Sequence, residues 1–186
     1  MQPTRRQPLF LVTGASCVGK SSMCEILFQK EQDYVVMESD LLWEERFNTP
    51  RDNYRAYRGL WMRVCASIAQ IGKPVVLCGC AVPEQFEGLP ERALFTGTHY
   101  LALVCGREQL LQRAARRGVT EPGLLESSLA FNEWLKRNAA ATAPPLTLLD
   151  TSSLSPEEAA GRAEAWIYSR LRQAQAEERK EQGKGE

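Results

Sequence analysis

The stretch Gly14-Ala15-Ser16-Cys17-Val18-Gly19-Lys20-Ser21 fits the pattern G-x-x-x-x-G-K-[ST]. It leaves little freedom to the chain around it. A loop of this kind holds an anion only where a strand feeds it and a helix leaves it. Its backbone N–H groups must converge on one point, and the helix N-terminus must face that point. The flanks meet this condition. "PLFLVTG", residues 8–14, reads as a strand, and "SSMCEILFQK", residues 21–30, reads as a helix. The glycines permit backbone conformations closed to other residues. Lys20 adds a mobile positive charge, and the Ser21 hydroxyl suits a hard cation.

The sequence therefore predicts a phosphate cradle, a P-loop, built from Gly14, Ala15, Ser16, Cys17, Val18, Gly19, Lys20, Ser21 and Ser22. ATP with Mg²⁺ is its expected ligand, and Ser21 is an expected metal ligand.

Further apolar runs alternate with helical stretches. "DYVVMES", "PVVLCG", "YLALVC" and "LTLLDT" read as strands two to five. Tyr54 to Ile71, "REQLLQRAARRG", "SSLAFNEWLKRN" and the stretch from Ser155 towards Ala176 read as helices. Ser155-Pro156-Glu157-Glu158 combines a capping hydroxyl, Pro at the first position and acids in the first turn. Continuous apolar strands alternating with helices predict a parallel sheet covered on both faces, an α/β fold in three layers, α/β/α. With no repeat and no linker, residues 1–178 are expected to form one domain, and residues 179–186 a charged, frayed tail.

Lys+Arg and Asp+Glu both number 23 in the 186 residues, so no net field draws the protein to nucleic acid or anionic lipid. No apolar run approaches the roughly 18 residues a membrane span requires. Arg5 and Arg6 precede a run too short for a signal peptide. The expectation is a cytoplasmic protein with no nucleic-acid or membrane partner and an open oligomeric state. The six cysteines show no CxxC spacing, and His99 is the lone histidine, which disfavours a zinc site. Buried, reduced thiols are expected, with Cys78 and Cys80 on one face of their strand.

Strand three carries no acid of the kind a motor ATPase uses to hold Mg²⁺ or activate water, and no N/T-K-x-D guanine-reading motif occurs. Strand two ends in Glu38-Ser39-Asp40. Residues two apart on a strand share a side, so both carboxylates are expected at the P-loop mouth. Glu38 is placed to hold Mg²⁺ through water, and Asp40 to orient or deprotonate an acceptor hydroxyl. A solvated strand end, with Asp40 capping the next helix, is the plainer alternative.

On the P-loop, "ESD" and the order of elements, the chain resembles the small P-loop kinases of the shikimate, gluconate and adenylylsulfate kinase type, and the related nucleoside and antibiotic phosphotransferases. The resemblance spans roughly residues 8–170. It implies the P-loop NTPase fold, with a five-stranded parallel sheet, the P-loop strand in the middle and a small lid at about 117–128. The family's D-x-D becomes E-S-D here, and of its strand-three glycines only Gly79 matches. The family's lid pattern L-x-x-R-x-x-R falls on "LLQRAARRG", which offers Arg113, Arg116 and Arg117 on one helix face. Arg117, beside Gly118, and Arg113 are the implied catalytic cations alongside Lys20 and Asp40. Asp150-Thr151-Ser152 is implied to border the adenine.

An acceptor pocket is expected between strand two and the helix before strand three. Trp43, Phe47, Tyr54, Tyr57, Arg58 and Trp61 lie there. Asp40, Arg58 and Trp43 are the candidate acceptor-binding residues, and Trp61 reads more readily as core. Aromatics beside an arginine suit a ring-bearing or anionic acceptor. The expected activity is transfer of the γ-phosphoryl group of Mg-ATP to a small-molecule hydroxyl. Two alternatives stand. One is a nucleoside monophosphate kinase using Arg55, Arg58 and Arg63. The other is a non-catalytic ATP-binding module docking through residues 170–186.

Overall fold

The computed structural model describes residues 6–30 and 33–182. Its centre is β1 (Leu9–Gly14), buried along its whole length. β2 (Val35–Glu38), β3 (Val75–Cys78), β4 (Thr98–Val104) and β5 (Thr147–Asp150) complete one sheet in the order β2-β3-β1-β4-β5. Every pairing is parallel, with Leu9 opposite both Val75 and Thr98. Connections leave β1 to one side for β2 and β3, and to the other for β4 and β5. Loops therefore part at its C-terminal end, where ligands bind in open parallel sheets.

The helices are α1 (Lys20–Phe28), α2 (Arg55–Ala69), α3 (Glu84–Glu87), α4 (Arg107–Arg116), α5 (Pro122–Asn138) and α6 (Pro156–Gln182). Successive β1 side chains go to opposite faces. Leu9 and Leu11 join the core formed with Trp61, Met62 and Leu135 of α2 and α5. Phe10 and Val12 join the one formed with Met23, Leu27, Ala163 and Ile167 of α1 and α6. The three predicted layers are present.

Three local expectations change. α5 begins at Pro122 rather than near Ser127, because Pro at the first helical position suits a helix start. Most of the expected lid at 117–128 is therefore helix, and 117–121 is its non-helical part. α6 passes Ala176 and runs to Gln182. Residues 183–186 of the expected tail, like Arg5, lie outside the described residues. Cys24 and Cys78, expected as separate thiols, come face to face where α1 covers β3, with Cα atoms 7.1 Å apart, wider than a disulfide usually spans. Among the described residues no helix is long and apolar enough to cross a membrane.

Candidate active site

The loop at the end of β1 has the shape its sequence predicts. Gly14 has φ 153°, and a Cβ there would lie 2.7 Å from the Leu103 carbonyl oxygen and 2.8 Å from Val18 Cγ1. Gly19, with φ 110°, leads into α1, which has no side-chain cap. The unpaired first-turn N–H groups of α1 thus face the loop. Lys20 Nζ donates to the carbonyls of Gly14 at 2.6 Å and Ala15 at 2.9 Å, which curls the ammonium back over the cradle. Converging amides and a mobile cation fit a polyphosphate.

Beside the cradle, the Ser21 hydroxyl donates to Glu38 Oε1 at 2.5 Å. The two expected metal ligands are thus brought together. Among the described residues no group of three or more His, Cys, Asp or Glu forms a metal site. A pair of hard oxygens fits Mg²⁺, which usually takes one or two protein ligands and completes its shell with substrate phosphates and water.

Asp40 arrives by a different route from the expected one. β2 ends at Glu38, and the chain turns into a 3₁₀ turn over Ser39–Leu42, so strand alternation does not extend to Asp40. Its exposed carboxylate accepts from Ser39 Oγ at 3.3 Å. Nor does it cap the following helix, since Tyr54 is the N-cap of α2.

Arg58 is buried at 7% exposure on α2. Its Nη2 donates to the Cys80 carbonyl at 2.6 Å and approaches Gln85 Oε1 at 3.5 Å. Its guanidinium lies 5.5–5.7 Å from the ring centroids of Tyr54, Tyr57 and Phe86. Nε is a buried nitrogen without a hydrogen-bond partner among the described residues. A cavity of about 10 Å³ beside Arg58 has room for a single water. Burial pushes the guanidinium below its ordinary pKa, while Tyr57, Cys80, Tyr54 and Asp40 pull the other way. Trp43, half exposed, meets Tyr57 edge-on at 5.2 Å and Tyr54 at 6.1 Å. Trp61 is core, at 1% exposure. Of the other two arginines of α2, Arg63 pairs with Glu91 at 2.6 Å and Arg55 is exposed.

On the far side of the loop a cavity of about 330 Å³ is lined by Val18, Ser22, Arg116, Arg117 and Thr151, among others. Arg113 also borders it but is engaged: it donates to the Val18 carbonyl at 2.9 Å and to Thr151 Oγ1 and O at 3.0 and 2.6 Å. It ties the loop to the end of β5 rather than standing free for a phosphoryl group. Arg116 and Arg117 are exposed on the same wall. In the next turn Asp150 accepts from the Ser152 hydroxyl at 2.5 Å and its N–H at 2.8 Å. Those bonds, the hydroxyl foremost, hold its carboxyl below the usual carboxylate range. Leu154, Pro156 and Ala159 add an apolar wall that the sequence did not reveal. The signal was partial: Ser155 and Glu158 cap each other's N–H groups as the sequence suggests, but nothing local places that helix start against the P-loop.

A family model described as an AAA domain matches residues 11–130, well over half of the chain. The chain belongs to the AAA domain family. The comparison with curated proteins returned no match. Among solved structures, this AAA-domain chain is similar to a sugar kinase from Janibacter sp. HTCC2649, at 20% identity over 88% of this chain and 95% of that one, with a TM-score of 0.57. It is similar to a gluconokinase from Sinorhizobium meliloti 1021, at 20% identity over 94% and 99%, with a TM-score of 0.59. It is also similar to a shikimate kinase from Acinetobacter baumannii in complex with shikimate, at 16% identity over 90% and 96%, with a TM-score of 0.57. At these identities the likeness is one of fold, and it agrees with the P-loop NTPase architecture expected from the sequence.

Proposed function

We propose that this protein is an ATP-dependent phosphotransferase that moves the γ-phosphoryl group of Mg-ATP to a hydroxyl of a small molecule. The observation that carries the reading is Glu38 joined to Ser21 beside the P-loop, with no acid on β3 and with the exposed Asp40 two residues further on, near enough to Arg58 to act on its charge. A hydrolytic ATPase needs a group that activates water. A phosphotransferase needs one that orients an acceptor, and exposed Asp40 beside buried Arg58 suits that task.

The loop amides and Lys20 bind the β- and γ-phosphates. Ser21 and Glu38 hold Mg²⁺, which when bound neutralises charge on those phosphates. Asp40 accepts a hydrogen bond from the acceptor hydroxyl and takes its proton as transfer proceeds. Arg117 is the exposed cation we assign to the lid, beside Gly118 at φ 70°. Arg113 fixes the loop against Thr151. The 330 Å³ cavity, with its apolar wall, is of a size and character that suits the base.

Arg58 keeps a buried Nε without a hydrogen-bond partner among the described residues, so an acceptor bearing a negative charge suits it once the 10 Å³ cavity beside it opens to more than a water. A phosphate in that position would make the enzyme a nucleoside monophosphate kinase. Arg58 and the exposed Arg55 keep that second reading alive, whereas Arg63 pairs with Glu91.

The test is ATP consumption across hydroxyl-bearing organic acids, nucleosides with and without a 5′-phosphate, and antibiotics. Acceptor-dependent turnover that Asp40→Asn abolishes supports the reading. Turnover confined to 5′-phosphates moves it to the second reading. No acceptor effect, with activity indifferent to Asp40→Asn, sinks both.

A further inference from the structure

The residue between the two site carboxylates is clamped. Ser39 is 3% exposed, and its carbonyl oxygen accepts two hydrogen bonds, from the Tyr57 hydroxyl and from Trp61 Nε1 at 2.9 Å. The donors are four residues apart on α2 and so share one face of the helix. A carbonyl has two lone pairs, and both are used. On the other side Ser39 packs against Gly79, just past the end of β3, so closely that a methyl group there would collide with Ser39 Oγ. Glu38 itself is in register with Cys78.

This arrangement does more than fill a core. Rotating the Ser39 peptide would strip a buried carbonyl of its donors, and each buried polar group left unpaired is costly. The peptide that links Ser39 to Asp40 is therefore held in one orientation. The clamp fixes where Asp40 enters the 3₁₀ turn, and it anchors the residue that follows Glu38 at the end of β2.

We propose that Tyr57 and Trp61 are positioning residues, which aim Glu38 and Asp40 by holding the Ser39 carbonyl. The proposal rests on the phosphotransferase reading above, in which Glu38 serves Mg²⁺. Neither side chain touches a substrate in this scheme. Sequence reading assigns both rings to acceptor pocket or core, because their donors meet a backbone atom 18 and 22 positions away.

The experiment is calorimetric titration with ADP, in the presence of Mg²⁺ and in EDTA. The proteins are the 186-residue chain, Tyr57→Phe, Glu38→Gln and the double variant. Tyr57→Phe keeps the ring and leaves Trp61 on the carbonyl, so the fold is expected to persist. Gly79→Ala perturbs Ser39 from the opposite side and serves as the second variant.

Tyr57→Phe is expected to cut the Mg²⁺-dependent tightening of ADP by about fivefold, the scale of one lost hydrogen bond. Its affinity in EDTA stays at the wild-type value. In the Glu38→Gln background the same change does nothing further, and Gly79→Ala reproduces the loss. The inference is overturned if Tyr57→Phe leaves the Mg²⁺ effect intact, weakens ADP equally with and without metal, or adds its full effect to Glu38→Gln. Wild-type protein whose ADP affinity ignores Mg²⁺ would overturn the phosphotransferase reading itself, and the inference with it.

Discussion

Ser21 and Glu38 lie 17 residues apart in the chain, yet the hydroxyl of one donates to the carboxylate of the other at 2.5 Å. The bond joins the first turn of α1 to the last residue of β2. It brings two hard oxygens, of the kind Mg²⁺ takes, together beside the loop.

Ser21→Ala removes one of those oxygens and leaves the amides of the loop in place. Mg²⁺-dependent tightening of ADP should fall by at least about tenfold, since even outer partners of a bound metal are worth that much. ADP binding in EDTA should not change. Titration calorimetry with and without metal checks both.

Arg58 separates stability from function. Arg58 makes no ion pair among the described residues, so the cost of burying its charge offsets much of what its bond to the Cys80 carbonyl contributes to folding. Arg58→Met should therefore keep or raise the melting temperature. The same variant should lose roughly a hundredfold in kcat/KM for an anionic acceptor while KM for ATP stays put. Arg58→Lys should not restore activity, because the ammonium lacks the planar fork. A variant that loses stability and ATP affinity together would show that Arg58 is only structural.

The strand spacing and the loop were legible because their rules are local. Gly14 and Gly19 sit where backbone geometry demands them, and apolar runs mark each buried strand. Arg58 stood out because a helix interior seldom needs a guanidinium. The turn at Ser39 was not legible. Alternation along β2 predicts one shared side for Glu38 and Asp40, but Gly79 and two ring donors, all distant in sequence, bend the chain first. The engagement of Arg113 was not legible for a similar reason: its partners Val18 and Thr151 lie 95 and 38 positions away. The Cys24–Cys78 contact likewise depends on how α1 lies over β3, which residue spacing does not encode.

Asn132 of α5 is fully buried and satisfies both backbone groups of Cys105, accepting from its N–H at 3.1 Å and donating to its carbonyl at 2.9 Å. Asn132→Ala leaves both groups buried and unpaired. It should cost about 2–4 kcal/mol of stability, from two backbone groups at roughly 1–2 each. Denaturant titration measures the loss, and the melting temperature should drop by several degrees.

Asp150 predicts an acid-side effect. Its folded pKa is depressed by the Ser152 bonds. The stability it contributes is therefore present above the ordinary carboxylate pKa and is lost as pH falls through the folded value. The melting-temperature gap between wild type and Asp150→Asn should be widest near neutral pH and close on acidification. A gap that stays constant to low pH would contradict this account of the turn.

The most direct test of the central claim follows the phosphorus itself. ³¹P NMR of the 186-residue chain with Mg-ATP and pooled hydroxyl-bearing acids, nucleosides and antibiotics reports where the γ-phosphoryl group goes. A new phosphomonoester resonance should grow in step with ADP, absent without acceptor and absent in Asp40→Asn. Orthophosphate as the sole product, at the same rate with and without acceptors, would contradict it.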